Sequence, residues 1–66
     1  MIIFAKRLKE LRKLNNLTQA AMAGILGLTE RHYQRMEYGQ VVPNAITLVI
    51  LADYFGVTTD YLLGRG

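Results

Sequence analysis

Hydrophobic positions recur at helical spacing along the chain, and no window shows the alternation typical of a β-strand. In the first segment, Phe4, Leu8 and Leu11 are spaced i, i+4 and i+7, which places them on one face of a helix. The pair Asn15–Asn16 follows, and asparagine tolerates the left-handed conformation that ends helices. The pattern predicts a first helix over residues 3–14.

Capping residues predict the limits of four more helices. Thr or Asn stands before each one as a candidate N-cap, at Thr18, Thr29, Asn44 and Thr58. Glycine stands near each end, at Gly27, Gly39, Gly56 and Gly64. These signals predict helices over 19–26, 30–38, 45–55 and 59–63. The expected core residues of the middle three are Met22, Ala23, Ile25, Leu26, Tyr33, Met36, Leu48, Leu51, Ala52 and Phe55. We expect one compact all-α domain of five helices over residues 1–66.

Composition excludes several classes of site. The 66 residues include no cysteine and one histidine, His32, which excludes a disulfide scaffold, a thiolate zinc site and a His-rich metal site. No nucleophile–base pair, paired carboxylates or glycine-rich phosphate loop is evident, so we expect neither an enzyme nor a cofactor or small-molecule ligand. The longest strictly apolar run, Leu48–Ala52, is far shorter than the ~20 residues of a membrane span. We expect a cytoplasmic protein that does not bind a membrane.

Positive charge is concentrated at the N-terminal end. The net charge is +3, but residues 1–16 hold five Lys and Arg with Glu10 alone against them. A polyanion is the natural partner of so uneven a surface. On charge alone, a solvated helix face is an equally good interpretation.

The segment 19–38 carries the functional signal. Its two predicted helices meet at a sharp turn that contains Gly27, where a positive φ is easily accepted, and Ala23 is small where the helices would approach. Apolar residues occupy the positions at which the helices would clamp together, namely Met22, Leu26, Leu28, Tyr33 and Met36. This spacing is typical of a DNA-binding helix-turn-helix.

Over residues 4–64 the chain resembles the Cro/phage-repressor (XRE) family of helix-turn-helix regulators. The segments that carry the resemblance are Ala5–Arg12, Leu17–Gln19, Gly27–Thr29, Met36–Gly39, Pro43, Leu51–Asp53 and Asp60–Gly64. The resemblance implies a lambda-repressor-like domain whose third helix enters the major groove of double-stranded DNA. It also implies a homodimeric transcriptional repressor on a near-palindromic operator.

The resemblance also implies roles for single residues. Gln19 matches a glutamine that anchors a phosphate and reaches a base edge. Thr29, Glu30, Arg31 and Arg35 match groove-facing positions, while Tyr38, Gln40 and Asn44 match positions that touch the DNA backbone. Arg12 and Glu37 match a pair that forms an internal ion pair.

Residue chemistry leaves alternatives open on the third helix. Arg31 and Arg35 are four apart on one face, so they either grip guanines or only aid solubility. Glu30 either accepts from cytosine N4 or stabilises the helix dipole. His32 and Gln34 either contact DNA or face water.

A second set of apolar residues lies off the expected core face. Ile46, Ile50 and Tyr54 are spaced four apart, and with Val57 and Tyr61 they predict a homodimer interface. A broader core is the alternative. A protein-interaction module, such as an antitoxin or antagonist, remains the alternative function, with this apolar strip as its binding site.

Overall fold

A computed structural model describes residues 2–65 and has five α-helices with no strand in that range. The helices are α1 (Ile2–Leu14), α2 (Gln19–Leu26), α3 (Glu30–Glu37), α4 (Ala45–Phe55) and α5 (Thr59–Leu63). The predicted all-α, five-helix fold is confirmed. The two ends of the predicted domain, residues 1 and 66, lie outside the described residues.

Local capping explains why the helices begin where they do. Thr18, Thr29, Asn44 and Thr58 all have extended backbones, and each side chain accepts a hydrogen bond from the N–H three residues later. The Asn44 Oδ1 atom, for example, accepts from Thr47 N at 2.8 Å. These bonds satisfy backbone donors that a helix N-terminus leaves unpaired.

The helix ends share one geometry. A left-handed residue follows each helix, and these residues are Asn16, Gly27, Gly39, Gly56 and Gly64. The next N–H then returns to the carbonyl five residues earlier, as Leu28 N does to Ala23 O at 2.9 Å. α3 ends one residue before the predicted limit, because Tyr38 already acts as its C-cap.

The core lies where the five helices meet. α2 packs against α3, α1 packs against α3 and α5, and α4 packs against α5. The buried cluster consists of Phe4, Leu8, Met22, Ala23, Tyr33, Met36, Leu51, Ala52 and Leu62. In the described part of the chain, no helix is long and apolar enough to cross a membrane.

One predicted core residue, Ile25, is 39% exposed. α2 turns Met22 and Ala23 toward the core, and at ~100° per residue Ile25 projects about 110° away from their midpoint. The helix packs mainly on α3, so this flank is only partly covered. The prediction for Ile25 was wrong for this reason.

Candidate nucleic-acid interface

The two faces of α3 differ sharply in burial. Tyr33, Met36 and Glu37 form its buried inner face. The outer side chains are all polar and exposed, and they are Glu30, Arg31, His32 and Arg35. Because the helix is anchored by one face, the opposite face can meet another molecule without any loss of core packing.

A tight turn sets the start of α3 relative to α2. Gly27 has φ 68°, and Thr29 has an extended backbone with its Oγ1 accepting from His32 N at 3.1 Å. Leu28, between them, packs partly buried against the core. The turn therefore places Thr29 and Glu30 at an exposed corner beside the N-terminus of α3.

The Glu37 carboxylate accepts four hydrogen bonds, which come from three different side chains. Arg12 donates twice, from Nε to Oε2 at 2.6 Å and from Nη2 to Oε1 at 3.1 Å. The Tyr33 hydroxyl donates to Oε2, and Gln19 Nε2 donates to Oε1 at 3.2 Å. A carboxylate has about four acceptor sites, so all of them are occupied. The arrangement joins α1, α2 and α3 at one buried point.

This network keeps the charges of the buried groups well defined. Burial by itself would raise the pKa of Glu37, but the hydrogen bonds from Arg12, Tyr33 and Gln19 outweigh it and lower that pKa below its ordinary value. The hydrogen bond to Glu37 raises the pKa of Arg12. Burial and the bond donated to Glu37 raise the pKa of the Tyr33 phenol. At neutral pH the site holds an ion pair and a neutral tyrosine.

Gln19 and Gln34 continue the network toward the surface. Gln34 Nε2 donates to Gln19 Oε1 at 3.2 Å, and both side chains are partly exposed. The Gln19 amide therefore uses its oxygen and one N–H inside the protein, with one N–H left over. Sequence reasoning missed this pair because residues 15 positions apart on two helices share no local pattern.

The segment after α3 carries the remaining predicted contact residues. Tyr38 and Gln40 are exposed on either side of the left-handed Gly39. Asn44 is also exposed, and its Oδ1 caps α4, so its amide nitrogen is the remaining donor of that side chain. The structure thus places all three on the stretch that leads from α3 to α4.

Two of the positively charged side chains of α1, Arg7 and Arg12, make contacts within the domain. Arg12 pairs with Glu37, and Arg7 lies 4.3 Å from the centre of the Tyr61 ring while it also donates to the Tyr61 carbonyl. Lys6, Lys9 and Lys13 are exposed on α1. These three lysines therefore supply most of the free positive charge of this helix. The contact between Arg7 and Tyr61 ties α1 to α5 and had no signal in the sequence.

An apolar strip runs along the outside of α4. Ile46 is 73% exposed, and Val49, Ile50 and Tyr54 are exposed beside it. Val57 and Tyr61, which the sequence analysis grouped with this strip, are only partly exposed and pack against the core cluster. The structure therefore brings together three of the five predicted interface residues, Ile46, Ile50 and Tyr54, on one exposed surface.

Comparison with known families and sequences gives consistent matches. The Helix-turn-helix family model matches residues 8–62. The SPbeta prophage-derived uncharacterized HTH-type transcriptional regulator YonR of Bacillus subtilis is 39% identical over 61 residues, which covers 92% of this chain and 56% of that protein. The cryptic phage CTXphi transcriptional repressor RstR of Vibrio cholerae is 38% identical over 60 residues, which covers 91% of this chain and 54% of that protein. The chain thus spans about half the length of the curated relatives it matches.

A solved structure matches the fold along its whole length. The crystal structure of the P22 c2 repressor protein in complex with synthetic operator 9T, in the presence of Tl+, aligns with a TM-score of 0.87. The two chains are 24% identical, and the alignment covers 100% of each. At this identity, the likeness shows that the arrangement of helices is the same.

Proposed function

The chain belongs to the Cro/phage-repressor (XRE) helix-turn-helix family, and from that premise we propose that it is a sequence-specific DNA-binding transcriptional regulator. In this proposal it acts as a homodimeric repressor that occupies a near-palindromic operator and blocks the polymerase. Binding alone accounts for the activity, with no catalytic step and no cofactor. Relatives described as a transcriptional regulator and a transcriptional repressor support this choice.

The observation that carries the proposal is the contrast between the two faces of α3. Its outer face is polar and exposed, whereas its inner face is buried in the core. Arg31 and Arg35 lie one turn apart on that face, and each guanidinium can grip guanine O6 and N7 with two hydrogen bonds. Glu30 at the helix start accepts from cytosine N4, and Thr29 beside it contacts a base edge or a phosphate. Direct reading of sequence is assigned to these side chains.

Other residues set the register of α3 on the DNA backbone. Gln19 offers its remaining N–H at the start of α2, where helix N–H groups favour an anion. Tyr38, Gln40 and Asn44 follow α3, and in this proposal their exposed side chains contact phosphates of the DNA backbone. His32, exposed near the N-terminus of α3, contacts a phosphate. Such contacts position the protein and carry no sequence information directly.

The size of the domain favours a dimer on the operator. Its longest axis measures 28 Å, whereas two successive major-groove half-sites are about 34 Å apart. One copy cannot reach both half-sites with its single α3. Two copies, joined along the exposed strip of Ile46, Ile50 and Tyr54, would present two recognition helices, with Val57 and Tyr61 at the edge of the contact.

Selection from a random double-stranded DNA library, at low and at moderate salt, tests the proposal. We expect a palindromic consensus with half-sites about ten base pairs apart, and affinity that falls steeply as salt displaces lysine–phosphate contacts. Salt-sensitive binding without a consensus would contradict sequence-specific regulation. That result, with a monomer that precipitates on its own, would favour the alternative of a protein-interaction module whose partner covers the α4 strip.

A further inference from the structure

We propose that Gln34 reads an adenine in each half-site, and that the Glu37 carboxylate, acting through Gln19, sets the direction of the Gln34 amide. This inference rests on the proposed function, since it concerns which base α3 selects. Gln34 is then a specificity residue that touches the base. Glu37 and Gln19 act on that base through Gln34 and are positioning residues.

The direction of each amide follows from the charge at the buried end. An ionised carboxylate only accepts hydrogen bonds, so the Gln19 side chain must turn its NH₂ group toward Glu37 Oε1, 3.2 Å away. Its oxygen therefore points away from the carboxylate. That oxygen only accepts, so Gln34 must turn its own NH₂ group toward it, as the 3.2 Å bond from Gln34 Nε2 shows. One buried charge thereby orders two successive amides.

These hydrogen bonds form a relay from Glu37 through Gln19 to Gln34. The Gln34 amide, at the outer end of the relay, retains one acceptor and one donor. Gln34 Oε1 and the second N–H of Gln34 have no partner among the side chains of residues 2–65, and no buried polar side-chain atom there is left unsatisfied. The amide is therefore open to solvent. Gln34 is three residues after Arg31 and four before Tyr38. It is therefore a neighbour of both of these exposed side chains on the surface of α3.

Adenine is the base that matches one acceptor and one donor. In the major groove its N6 amino group donates and its N7 accepts, and glutamine meets both atoms at once. Guanine presents two acceptors, O6 and N7, and would need two donors. Gln34 has only one N–H free, because the other is donated to Gln19. The relay thus favours adenine and disfavours guanine at the same position.

The first test compares selected DNA sequences for the unaltered protein, Gln34→Ala and Gln40→Ala. Gln34→Ala should lose the preference for adenine at one position of each half-site, by roughly 5- to 150-fold as expected for a bidentate contact. The other positions should keep their preferences. Gln40→Ala is the matched control: it removes an amide assigned to a phosphate, so it should weaken all sequences alike and keep the adenine.

The second test uses an altered base and an altered relay. Replacing the selected adenine by 7-deazaadenine removes N7, so it should weaken binding of the unaltered protein and leave binding of Gln34→Ala unchanged. Gln19→Ala should lower the overall affinity and also reduce the ratio of adenine to guanine affinity, because the Gln34 amide is then free to turn. Thermal unfolding of each variant establishes that the fold is retained.

The outcomes separate the inference from the function on which it rests. A consensus that keeps its adenine in Gln34→Ala, or that is indifferent to 7-deazaadenine, overturns the inference and leaves the regulator intact. An unchanged adenine-to-guanine ratio in Gln19→Ala overturns the positioning role. Failure to obtain any consensus overturns the proposed function, and the inference falls with it.

Discussion

Arg12 on α1 holds Glu37 at the end of α3 through two parallel hydrogen bonds, Nε to Oε2 at 2.6 Å and Nη2 to Oε1 at 3.1 Å. A third donor, Arg12 Nη1, reaches the Leu17 carbonyl at 2.9 Å and so ties down the connection between α1 and α2. A planar guanidinium suits this paired geometry. The ion pair thus fixes the C-terminal end of α3 against α1 and the connection between α1 and α2.

Removal of one member of this pair should destabilise the domain strongly. Arg12→Met would leave the Glu37 carboxylate buried without its cation, and such losses cost about 3 kcal/mol or more in the free energy of unfolding. Urea unfolding followed by circular dichroism measures the change. Lys13→Met is the control, since Lys13 is exposed and its loss should change stability by about 0.5 kcal/mol or less. Equal midpoints for the two variants would contradict the role of the pair.

Stability should fall in acid because of Glu37. Its folded pKa lies below the unfolded value of 4.5, so its contribution is present above that pH and is lost as the pH falls toward the folded pKa. One proton taken up on unfolding corresponds to at most about 1.4 kcal/mol per pH unit. Urea unfolding between pH 7 and pH 3 should show this loss. In Glu37→Gln the free energy of unfolding should depend less steeply on pH. A stability that falls with pH as steeply in Glu37→Gln as in the unaltered protein would contradict the assignment.

Alanine should have opposite effects on stability at Gly27, in the turn between α2 and α3, and at Gly24, inside α2. Gly27 has φ 68°, so Gly27→Ala should destabilise by about 1 kcal/mol, although a methyl group there would meet nothing within 4 Å. Gly24 lies inside α2, also with open space around it, so Gly24→Ala should stabilise by about 1 kcal/mol. The melting temperatures of the two variants check the signs. A gain of stability for Gly27→Ala would show that the turn does not need the left-handed conformation.

Substitution of Arg35 and of Lys6 should distinguish base recognition from electrostatic attraction to DNA. Arg35→Ala should relax the base preference at one position of each half-site, at a cost of about 1–3 kcal/mol in discrimination. Lys6→Ala should weaken all sequences alike and reduce the dependence on salt, because Lys6 is exposed on α1 and acts through its charge. Binding titrations on the selected site and on variants of it distinguish the two patterns. An unchanged preferred site in Arg35→Ala would remove Arg35 from the reading surface.

The α4 strip should control the oligomeric state. Ile46→Lys places a charge within the proposed contact and should give a monomer that remains folded, because Ile46 is already 73% exposed. Leu14→Lys is the matched control, since Leu14 is 78% exposed but lies on α1, outside the strip. Sedimentation of the three proteins gives their masses. If the unaltered chain is a dimer and Ile46→Lys has the same mass, the proposed contact is wrong.

Much of the fold was predictable because its signals are local. Thr18 and Thr29 cap the helices that follow them, and Gly27 ends the helix between them, within a stretch of 12 residues. The exposed position of Arg31 and Arg35 also follows from spacing along one short helix. Ile25 shows the limit of this reasoning, because helical spacing tells which residues share a face but not how far a neighbouring helix extends over it.

The amino-acid sequence by itself determined where the helices begin and end and which side chains share a face of α3, because caps and the helical period act within a few residues. Only the tertiary structure decided which distant groups meet. The family resemblance had implied that Arg12 pairs with Glu37, 25 residues away, but nothing in the spacing of residues predicted that Gln34 donates to Gln19 across 15 residues or that Arg7 contacts Tyr61 across 54. Hydrogen bonds and ion pairs act over a few ångströms, so they are set by the packing of the helices and not by spacing along the chain.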